Sequence, residues 1–498
     1  MLARLSAAAV FGIDAIPVSV EVDVSPGLPG VTMVGLPDTT VRESRDRVRA
    51  AIRNSGFPFP PDRVTVSLAP ADLKKVGAAF DLPIALGILA ASGALPHREP
   101  RSTTVVGGLS LDGGIPPMRG LLPIAVAARE STGSLLFPAG NLAEAAIASP
   151  LKMFPVESLM QAVQHLVSPD PLPYSAVSPG PSEPQTELSE DLADVRGQAL
   201  GKRALEIAAS GAHHLLFSGP PGAGKTMLAR RLPGLLPPLD IDEALAVTTI
   251  HSVAGQLAPG HGLVRTRPFR APHHTCSEVA LVGGGSIPRP GELSLAHGGV
   301  LFLDELPEFS RRVLETLRQP LEHGVVHIAR ATRSSIFPAR VMLVAARNPC
   351  PCGYYGSETK VCRCAHRAVQ RYQDRLSGPL KDRFDITLTL PAVSWQHVRE
   401  GSPAETSRTV RARVCAARER QTERQGVLNS RLEGPALRAS CQLSGDSERL
   451  LERGVATLTL SVRAVTRVLR VARTIADLAG HADIAASDIA EALQFRPE

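Results

Sequence analysis

Aromatic residues are scarce in this chain of 498 residues, at 4% of the total with a single Trp. Because base stacking needs aromatic side chains, any contact with nucleic acid is expected to depend on charge instead. No apolar run reaches the ~18 residues that a membrane span needs. The apolar N-terminal stretch, 2–13, ends at Asp14 and leads into a strand pattern. These absences predict a cytoplasmic protein with no membrane partner.

Disulfide usage is also not indicated, although seven Cys are present and four of them lie between 350 and 364. An odd number of Cys in a long chain argues for a reducing compartment. The net charge is +6, and the segment 405–475 holds 14 Arg and no Lys against 7 acidic residues. Solvated helix faces and a nucleic-acid-binding patch explain this segment equally well.

The chain is too long for one hydrophobic core, and its patterns divide it into three folded regions. Strand and helix patterns alternate through 1–167, which predicts an α/β domain, with one strand expected at 103–111. The segment 168–190 holds six Pro among Ser and acidic residues, the composition of a linker. Alternation resumes over 191–392, and Arg-rich helical patterns fill 393–498.

The segment 219–226 carries the pattern G-x-x-x-x-G-K-[ST] between a strand pattern and a helix pattern. Backbone N–H groups of such a loop surround phosphate, its Lys reaches the β and γ phosphates, and its hydroxyl ligates Mg²⁺. The sequence therefore predicts ATP and Mg²⁺ as ligands. The predicted binding residues are Gly219, Pro220, Pro221, Gly222, Ala223, Gly224, Lys225 and Thr226.

Two further strand patterns end in polar residues that suit ATP hydrolysis. The run 300–303 ends in Asp304, predicted to hold Mg²⁺, and Glu305, predicted to polarise the attacking water. Asn348 follows another apolar run and can orient that water, although an Asn before Pro is also a common turn former. Together with the phosphate loop, these residues predict a complete hydrolytic site.

Two arginines are candidates for stabilising the transition state. Arg383 can place its guanidinium on a neighbouring subunit's γ-phosphate, and a surface salt bridge explains it equally well. Arg463 begins a helix pattern in the C-terminal region. It can contact ATP from that side, or it can be solvated.

Four further stretches are characteristic in sequence: Phe269–Thr275, Pro290–His297, Asn348–Gly353 and Ala472–Leu478. With the residues above, they resemble the YifB/ComM family of magnesium-chelatase-like ATPases over nearly the whole chain. The resemblance implies an α/β fold class with three parts: an N-terminal Lon-protease-like (S5-type) α/β domain, an AAA+ P-loop α/β core and a C-terminal helical lid. It also implies a hexameric ring with ATP bound between subunits.

The same resemblance assigns roles to three residues that the patterns left open. Arg383 corresponds to the arginine finger, Asn348 to sensor 1 and Arg463 to sensor 2, while Lys381 stands where the family usually has an apolar residue. The segment 268–286 corresponds to an insert and 325–338 to a hairpin, which project into the pore in related motors. The pore candidates are His273, His274, Arg330 and Arg333, with ordinary loop exposure as the alternative.

ComM-type members of this family are similar to branch-migration helicases that act in natural transformation. The resemblance therefore implies branched or single-stranded DNA as a partner, bound through its phosphates without sequence preference, with recombination proteins as further partners. Two rival functions remain: a magnesium-chelatase motor subunit and a protein-remodelling ATPase.

Peptidase activity is not expected of the Lon-like domain. Lon-type proteases use a Ser and a Lys, and the corresponding positions here hold Ala79 and Ile124. Alanine offers no nucleophile and isoleucine offers no base. The domain is expected to bind DNA or a partner, or to tune ring assembly.

Four clustered cysteines form the pattern C-x-C…C-x-C, which predicts a tetrahedral Zn²⁺ site. The one-residue spacing within each pair is tighter than usual for zinc, so four reduced thiols in a loop are the alternative. His366 is a possible substitute ligand. The predicted ligands are Cys350, Cys352, Cys362 and Cys364.

Overall fold

The computed structural model describes residues 1–35, 39–71, 75, 77–95, 103–167, 190–258, 260–285, 288–329, 334–357, 360–392 and 405–496. These residues form two α/β regions, each built on one main sheet, and then a helical region. The predicted linker, 168–190, lies outside the described residues except for Glu190.

The N-terminal region is built on a seven-stranded sheet of order β3-β4-β2-β1-β5-β6-β7. β1 pairs antiparallel with β2 and parallel with β5. Its strands are β1 (Leu2–Phe11), β2 (Asp14–Ser25), β3 (Gly30–Val34), β4 (Arg63–Ala69), β5 (Thr104–Val105), β6 (Ser134–Pro138) and β7 (Lys152–Val156). Its helices are α1 (Thr39–Asn54), α2 (Asp81–Ala91), α3 (Leu121–Ser131), α4 (Leu142–Ala145) and α5 (Leu159–Val167).

The predicted strand at 103–111 is wrong beyond its first residues, because β5 covers only Thr104–Val105. At Gly107 the backbone bonds to residues around the start of α2 rather than to a strand. The Gly107 N–H donates to the Ala79 carbonyl at 2.9 Å, and the Gly107 carbonyl accepts from the Leu82 N–H at 3.0 Å. An apolar extended run therefore continues past the end of the ladder.

The second sheet has five parallel strands in the order β16-β8-β15-β12-β9. Its inner strands are buried along their whole length, as expected for parallel strands with both faces covered. The strands are β8 (Leu215–Ser218), β9 (Phe269–Arg270), β12 (Val300–Leu303), β15 (Met342–Arg347) and β16 (Ile386–Thr389). The larger helices around it are α6 (Ala199–Gly211), α7 (Lys225–Leu235) and α8 (Ile241–Ala254).

Two smaller ladders lie beside this sheet. β9 pairs with β12, so the first residues of the predicted insert are an edge strand of the sheet and the insert begins after them. The insert contains α9 (Glu278–Val282) and the ladder of β10 (Gly283–Gly284) with β11 (Arg289–Pro290), followed by α10 (Glu292–Leu295). The predicted hairpin is present as β13 (Val325–Ala329) and β14 (Ser334–Pro338), and its pore candidates Arg330 and Arg333 lie outside the described residues.

Short helices complete the ATPase region, and in the described part of the C-terminal region, 405–496, five helices follow. The short ones are α11 (Arg311–Thr316), α12 (Arg318–His323), α13 (His366–Gln373) and α14 (Gly378–Lys381). The C-terminal ones are α15 (Ser407–Gln425), α16 (Gly434–Ser440), α17 (Gly445–Leu458), α18 (Val462–Ala479) and α19 (Ala486–Gln494). Val414 and Val468 belong to the same buried cluster as Phe217 of β8, so this helical lid shares a core with the sheet. Among the described residues, no helix is long and apolar enough to cross a membrane.

The N-terminal region docks on the ATPase region through the end of α8. The Ser252 hydroxyl donates to the buried carboxylate of Glu144, and the Ser252 carbonyl accepts from the Gly120 N–H at 3.1 Å. A second contact involves Ile13, which packs against the cluster that contains Phe337 of the hairpin. The two α/β regions are therefore joined by both polar and apolar contacts.

Candidate ATPase active site

The predicted phosphate loop connects the carboxyl end of β8 to the first residue of α7. Gly222 and Gly224 have φ of +80° and +84°, a conformation that glycine adopts without steric cost. Because α7 begins at Lys225, its unpaired N–H groups face the loop and favour an anion there. The loop therefore has the backbone geometry of a phosphate cradle.

Lys225 joins this loop to the neighbouring strand. Its Nζ donates to the Gly219 carbonyl at 2.7 Å and to Asn348 Oδ1 at 3.1 Å. Burial lowers the pKa of Lys225, an effect that Asp304 and Glu305 oppose. The amide predicted to act as sensor 1 thus lies within hydrogen-bond distance of the phosphate-binding lysine.

Thr226 and Asp304 converge as the predicted Mg²⁺ ligands. The Thr226 hydroxyl donates to Asp304 Oδ2 at 2.7 Å, and the other carboxylate oxygen accepts from the Glu305 N–H at 2.9 Å. Mg²⁺ in proteins takes hard oxygen ligands, and this hydroxyl and carboxylate supply them. The donor set therefore fits the ion that the sequence predicts.

Glu305 is held in a strained position at the end of β12. Its φ is +51°, an uncommon conformation for a residue other than glycine. Its Oε2 lies 3.4 Å from Nδ1 of His274, which comes from the insert after β9. The sequence predicted His274 only as a pore residue. In the structure, the His274 ring instead contacts the carboxylate of Glu305, the residue predicted to polarise water.

Arg383 lies near the opposite end of the same sheet. It precedes β16, whose first residue Ile386 pairs with Leu215 at the start of β8, whereas the phosphate loop follows the other end of β8. β8 has four residues at ~3.3 Å each, so its start and its end are about 13 Å apart. The guanidinium of Arg383 donates to Glu322. Arg383 is therefore remote from the phosphate loop of its own chain.

Arg463 contacts Asp382, the residue before Arg383, and not its own phosphate loop. Its Nη1 is 3.5 Å from Asp382 Oδ2, and 80% of the side chain is exposed. Because Asp382 precedes β16, this contact lies at the end of the sheet that is remote from the phosphate loop of the same chain. The structure thus divides the predicted machinery into two groups at opposite ends of one sheet.

Gln198 supports the phosphate loop and was not found from the sequence. Its Nε2 donates to the Ala223 carbonyl at 2.9 Å and to the Pro391 carbonyl at 3.0 Å. It therefore ties the loop to the segment that follows β16. A single Gln before a helix carries no sequence signal of such a contact.

The four clustered cysteines come together next to the phosphate loop. Distances from Cys350 Sγ to Cys352 and Cys362 are 3.4 and 3.7 Å, and all four sulfurs lie within 4.8 Å of one another. Four sulfurs at ~2.3 Å from zinc would lie about 3.8 Å apart. The Tyr354 and Arg363 N–H groups lower the pKa of Cys352 to about 6, whereas desolvation and the neighbouring Cys352 and Cys350 side chains raise the pKa of Cys362 to about 12.

His366, the alternative ligand, is exposed at the start of α13 and does not belong to this group of four. The cysteine loop also contacts the phosphate loop directly. A Cβ on Gly353 would lie 2.6 Å from Cδ of Pro221. The cluster therefore fits a tetrahedral metal and lies directly against the nucleotide site.

Three family models match the chain in sequence order. "Subunit ChlI of Mg-chelatase" matches 20–141, "Magnesium chelatase, subunit ChlI" matches 191–398, and "Magnesium chelatase, subunit ChlI C-terminal" matches 404–496. Together they cover most of the chain, including part of the first sheet, the whole second sheet and the helical lid.

Similar proteins extend over the full length. An uncharacterised protein called YifB from Salmonella typhimurium strain LT2 is 45% identical over 99% of this chain and 97% of its own length. Competence protein ComM from Haemophilus influenzae is 45% identical over the same shares. The Holliday junction branch migration complex subunit RuvB from Saccharopolyspora erythraea is 25% identical over 47% of this chain and 56% of its own. The chain belongs to the YifB/ComM family of magnesium-chelatase-like AAA+ ATPases.

Proposed function

We propose that this chain hydrolyses ATP as a subunit of a closed ring, in which each active site is formed by two neighbouring subunits. The observation that carries the proposal is the separation of Lys225 and Glu305 from Arg383 and Arg463 at opposite ends of one sheet. A head-to-tail interface that closes on itself brings one end of each subunit against the other end of the next. Six subunits is the number that the family resemblance implies.

Within such a site, one subunit binds the nucleotide. The loop N–H groups and Lys225 hold the β and γ phosphates, while Thr226 and Asp304 hold Mg²⁺. The ion, when bound, neutralises charge on the phosphates. Glu305 polarises the attacking water, and Asn348 orients it beside Lys225.

The neighbouring subunit supplies Arg383, whose guanidinium stabilises the charge that develops on the transferred phosphoryl group. Arg463 approaches the same phosphates from beside it. Because both arginines come from the next subunit, hydrolysis requires assembly of the ring.

DNA is the proposed track, and the motor is proposed to migrate branched junctions during recombination and the integration of incoming DNA in natural transformation. The names of the relatives ComM and RuvB support this assignment. The proposed contacts are the insert and the β13–β14 hairpin, where His273 and His327 are exposed. Recombination proteins are the proposed further partners.

The arginine-rich lid is not the proposed DNA surface. Arg418 donates to the Ala209 carbonyl at 2.8 Å, and burial lowers its pKa to about 10. Side chains used in this way stabilise the fold, and fewer of their N–H donors are left for phosphates. Within the described residues, nine of the fourteen Arg of 405–475 donate to protein groups eight or more residues away in the chain. They are Arg411, Arg413, Arg418, Arg420, Arg424, Arg463, Arg467, Arg470 and Arg473.

The N-terminal domain is proposed to lack peptidase activity and to act as a docking module. Ile124 is 1% exposed inside an apolar cluster, so its position offers no base. The contacts of Glu144 and Gly120 with Ser252 support a role in holding the ATPase region.

A junction assay tests the motor. Purified protein with ATP should migrate a synthetic four-way DNA junction, and Lys225→Ala should not. ATP hydrolysis that is stimulated by DNA without migration would contradict the motor assignment. Stimulation by a chelatase partner would instead favour a chelatase-type motor, the rival that the family models' descriptions favour. Stimulation by unfolded protein clients would favour remodelling.

Zinc is proposed as a structural ion held by Cys350, Cys352, Cys362 and Cys364. Metal analysis of the purified protein should find about one Zn per chain, and close to none in a variant with Cys362 and Cys364 both changed to Ser. Equal zinc in the two proteins would contradict this site.

A further inference from the structure

The segment that carries Arg383 is held by a buried arginine of the lid. Arg467, in α18, is 6% exposed. Its Nη2 donates to Asp382 Oδ1 at 3.0 Å, and its Nη1 donates to the Phe384 carbonyl at 3.2 Å. One guanidinium therefore bonds to the residues on both sides of Arg383.

The other contacts of this segment come from the ATPase core. The Phe384 side chain is fully buried, and Asp385 Oδ2 lies 3.1 Å from Nδ1 of the buried His213. These contacts anchor the segment after Arg383. The lid anchors it on both sides of Arg383 through Arg467, and before Arg383 also through the contact of Arg463 with Asp382.

We propose that Arg467 is a positioning residue that fixes where Arg383 meets the neighbouring subunit's γ-phosphate. This inference rests on the proposed two-subunit site. A planar guanidinium holds two acceptors in one fixed geometry, whereas a lysine ammonium is a point charge that does not fix the geometry of its acceptors. A displacement of a catalytic group by ~1 Å can lower the rate about 100-fold. The pair of bonds from Arg467 to Asp382 and Phe384, called the brace below, therefore directly affects turnover through the position of Arg383.

The brace also links two subunits. Arg463 and Arg467 lie one turn apart on α18, so both contacts with Asp382 follow any movement of that helix. A shift of the lid in one subunit therefore changes the position of Arg383 at the next subunit's nucleotide. Movement of the lid is in this way coupled to hydrolysis in the adjacent site.

The first test is the ATPase activity of Arg467→Ala beside a matched control. Arg470 lies on the same helix and donates to the Leu432 carbonyl at 2.8 Å, so its bonds stay within the lid. Arg467→Ala should lower kcat by about 10- to 100-fold with KM for ATP within about 2-fold. Arg470→Ala should keep kcat within about 2-fold. Equal losses in both variants would overturn the proposal.

Mixed rings supply a readout that a general structural defect does not reproduce. Lys225→Ala subunits cannot bind nucleotide productively but present an intact Arg383, whereas Arg467→Ala subunits have an intact nucleotide loop. In a random mixture, roughly one interface in four joins the intact halves. The mixture should therefore hydrolyse ATP several-fold faster than either variant alone, and no gain over the two alone would overturn the proposal.

A second mixture, Lys225→Ala with Arg383→Ala, tests the two-subunit site separately from the positioning role of Arg467. If it shows no gain, the two-subunit site itself is wrong. If it gains activity and the Arg467→Ala mixture does not, only the positioning role is wrong. Should Arg467→Ala fail to fold or assemble, Arg467→Lys keeps the charge and volume, and the same mixture decides the question.

Discussion

Two α/β sheets in this chain differ in the side chains at their functional positions. In the ATPase sheet, Lys225 and Asn348 approach to 3.1 Å, and Thr226 and Asp304 to 2.7 Å, where β8, β15 and β12 end. In the N-terminal sheet, the positions expected for the Ser and Lys of a Lon-type protease hold Ala79 and Ile124, and Ile124 is packed in an apolar cluster. Both regions have helices packed on a sheet, but this architecture alone does not create an active site. The polar groups at particular positions do.

The largest effect that this comparison predicts comes from Glu305, at the end of β12. Glu305→Gln removes the group that polarises water but leaves the phosphate loop intact. The rate of ATP hydrolysis should fall by about 10²- to 10⁴-fold while ATP binding is kept, as measured by steady-state turnover and by binding of a labelled nucleotide.

Glu308→Gln is the matched control for this change. Glu308 lies in the next turn and pairs with Arg375 at 2.8 Å on the surface. Its loss should change turnover by less than about 3-fold, because exposed ion pairs contribute little. Similar losses in the two variants would show that the loop needs its negative charge and not the carboxylate of Glu305.

The second prediction concerns the contact between the cysteine loop and the phosphate loop. Gly353 has φ of +84°, and an added Cβ would lie 2.6 Å from Cδ of Pro221. Gly353→Ala should therefore displace the phosphate loop and raise KM for ATP by about 3- to 10-fold, since a change of ~1.4 kcal/mol is tenfold.

Gly356→Ala isolates that contact from backbone strain. Gly356 has a similar φ of +73°, but an added Cβ would meet no atom within 4 Å. Both variants should lose about 1 kcal/mol of stability, because alanine is disfavoured at positive φ. A rise in KM that is the same in both would exclude the contact with Pro221 as its cause.

The ATPase sheet was predictable because buried parallel strands are short apolar runs next to recognisable loops. β8, β12 and β15 lie where these runs predicted them, and the phosphate loop follows β8. The strand predicted at 103–111 was wrong, because apolar periodicity does not distinguish a ladder from an extended segment that bonds to a helix start.

Contacts between distant segments were not predictable from local patterns. Arg463 lies beside Asp382, His274 beside Glu305, and Arg467 donates on both sides of Arg383. Each pair joins segments whose proximity depends on how helices pack on the sheet. A single sequence records the residue types but not these pairings, so the arginine-rich lid was open to interpretation as a DNA surface.

A smaller effect is expected where the two sheets meet. Glu144 is buried and accepts from the Leu122 N–H at 2.9 Å, from Asn141 Nδ2 at 2.8 Å and from the Ser252 hydroxyl. Glu144→Gln turns one acceptor into a donor and leaves buried groups unsatisfied, which costs about 1–3 kcal/mol. The Tm of the N-terminal region should fall by roughly 2–10 °C in a calorimetric scan.

Glu130→Gln serves as the control for this variant. Glu130 lies on the surface, where it is 3.7 Å from Arg129 and its side chain is 71% exposed. Its Tm should stay within about 1 °C of the unchanged protein, because exposed pairs contribute ~0–1 kcal/mol. If Glu144→Gln behaves in the same way, the buried carboxylate does not hold the two regions together.

The smallest expected effect is on peptidase activity. It is tested by adding a nucleophile to the N-terminal sheet. Ala79→Ser restores a hydroxyl where a Lon-type protease has its nucleophile, but Ile124 still offers no base to activate it. Hydrolysis of a fluorogenic casein should therefore stay at background in Ala79→Ser as in the unchanged protein, with ATP hydrolysis unaltered. Measurable cleavage by Ala79→Ser would mean that another group in this sheet acts as the base. The N-terminal region would then have a catalytic base other than the residue at position 124. The first residue to replace would be the buried Lys75, whose ammonium donates to the Pro70 carbonyl.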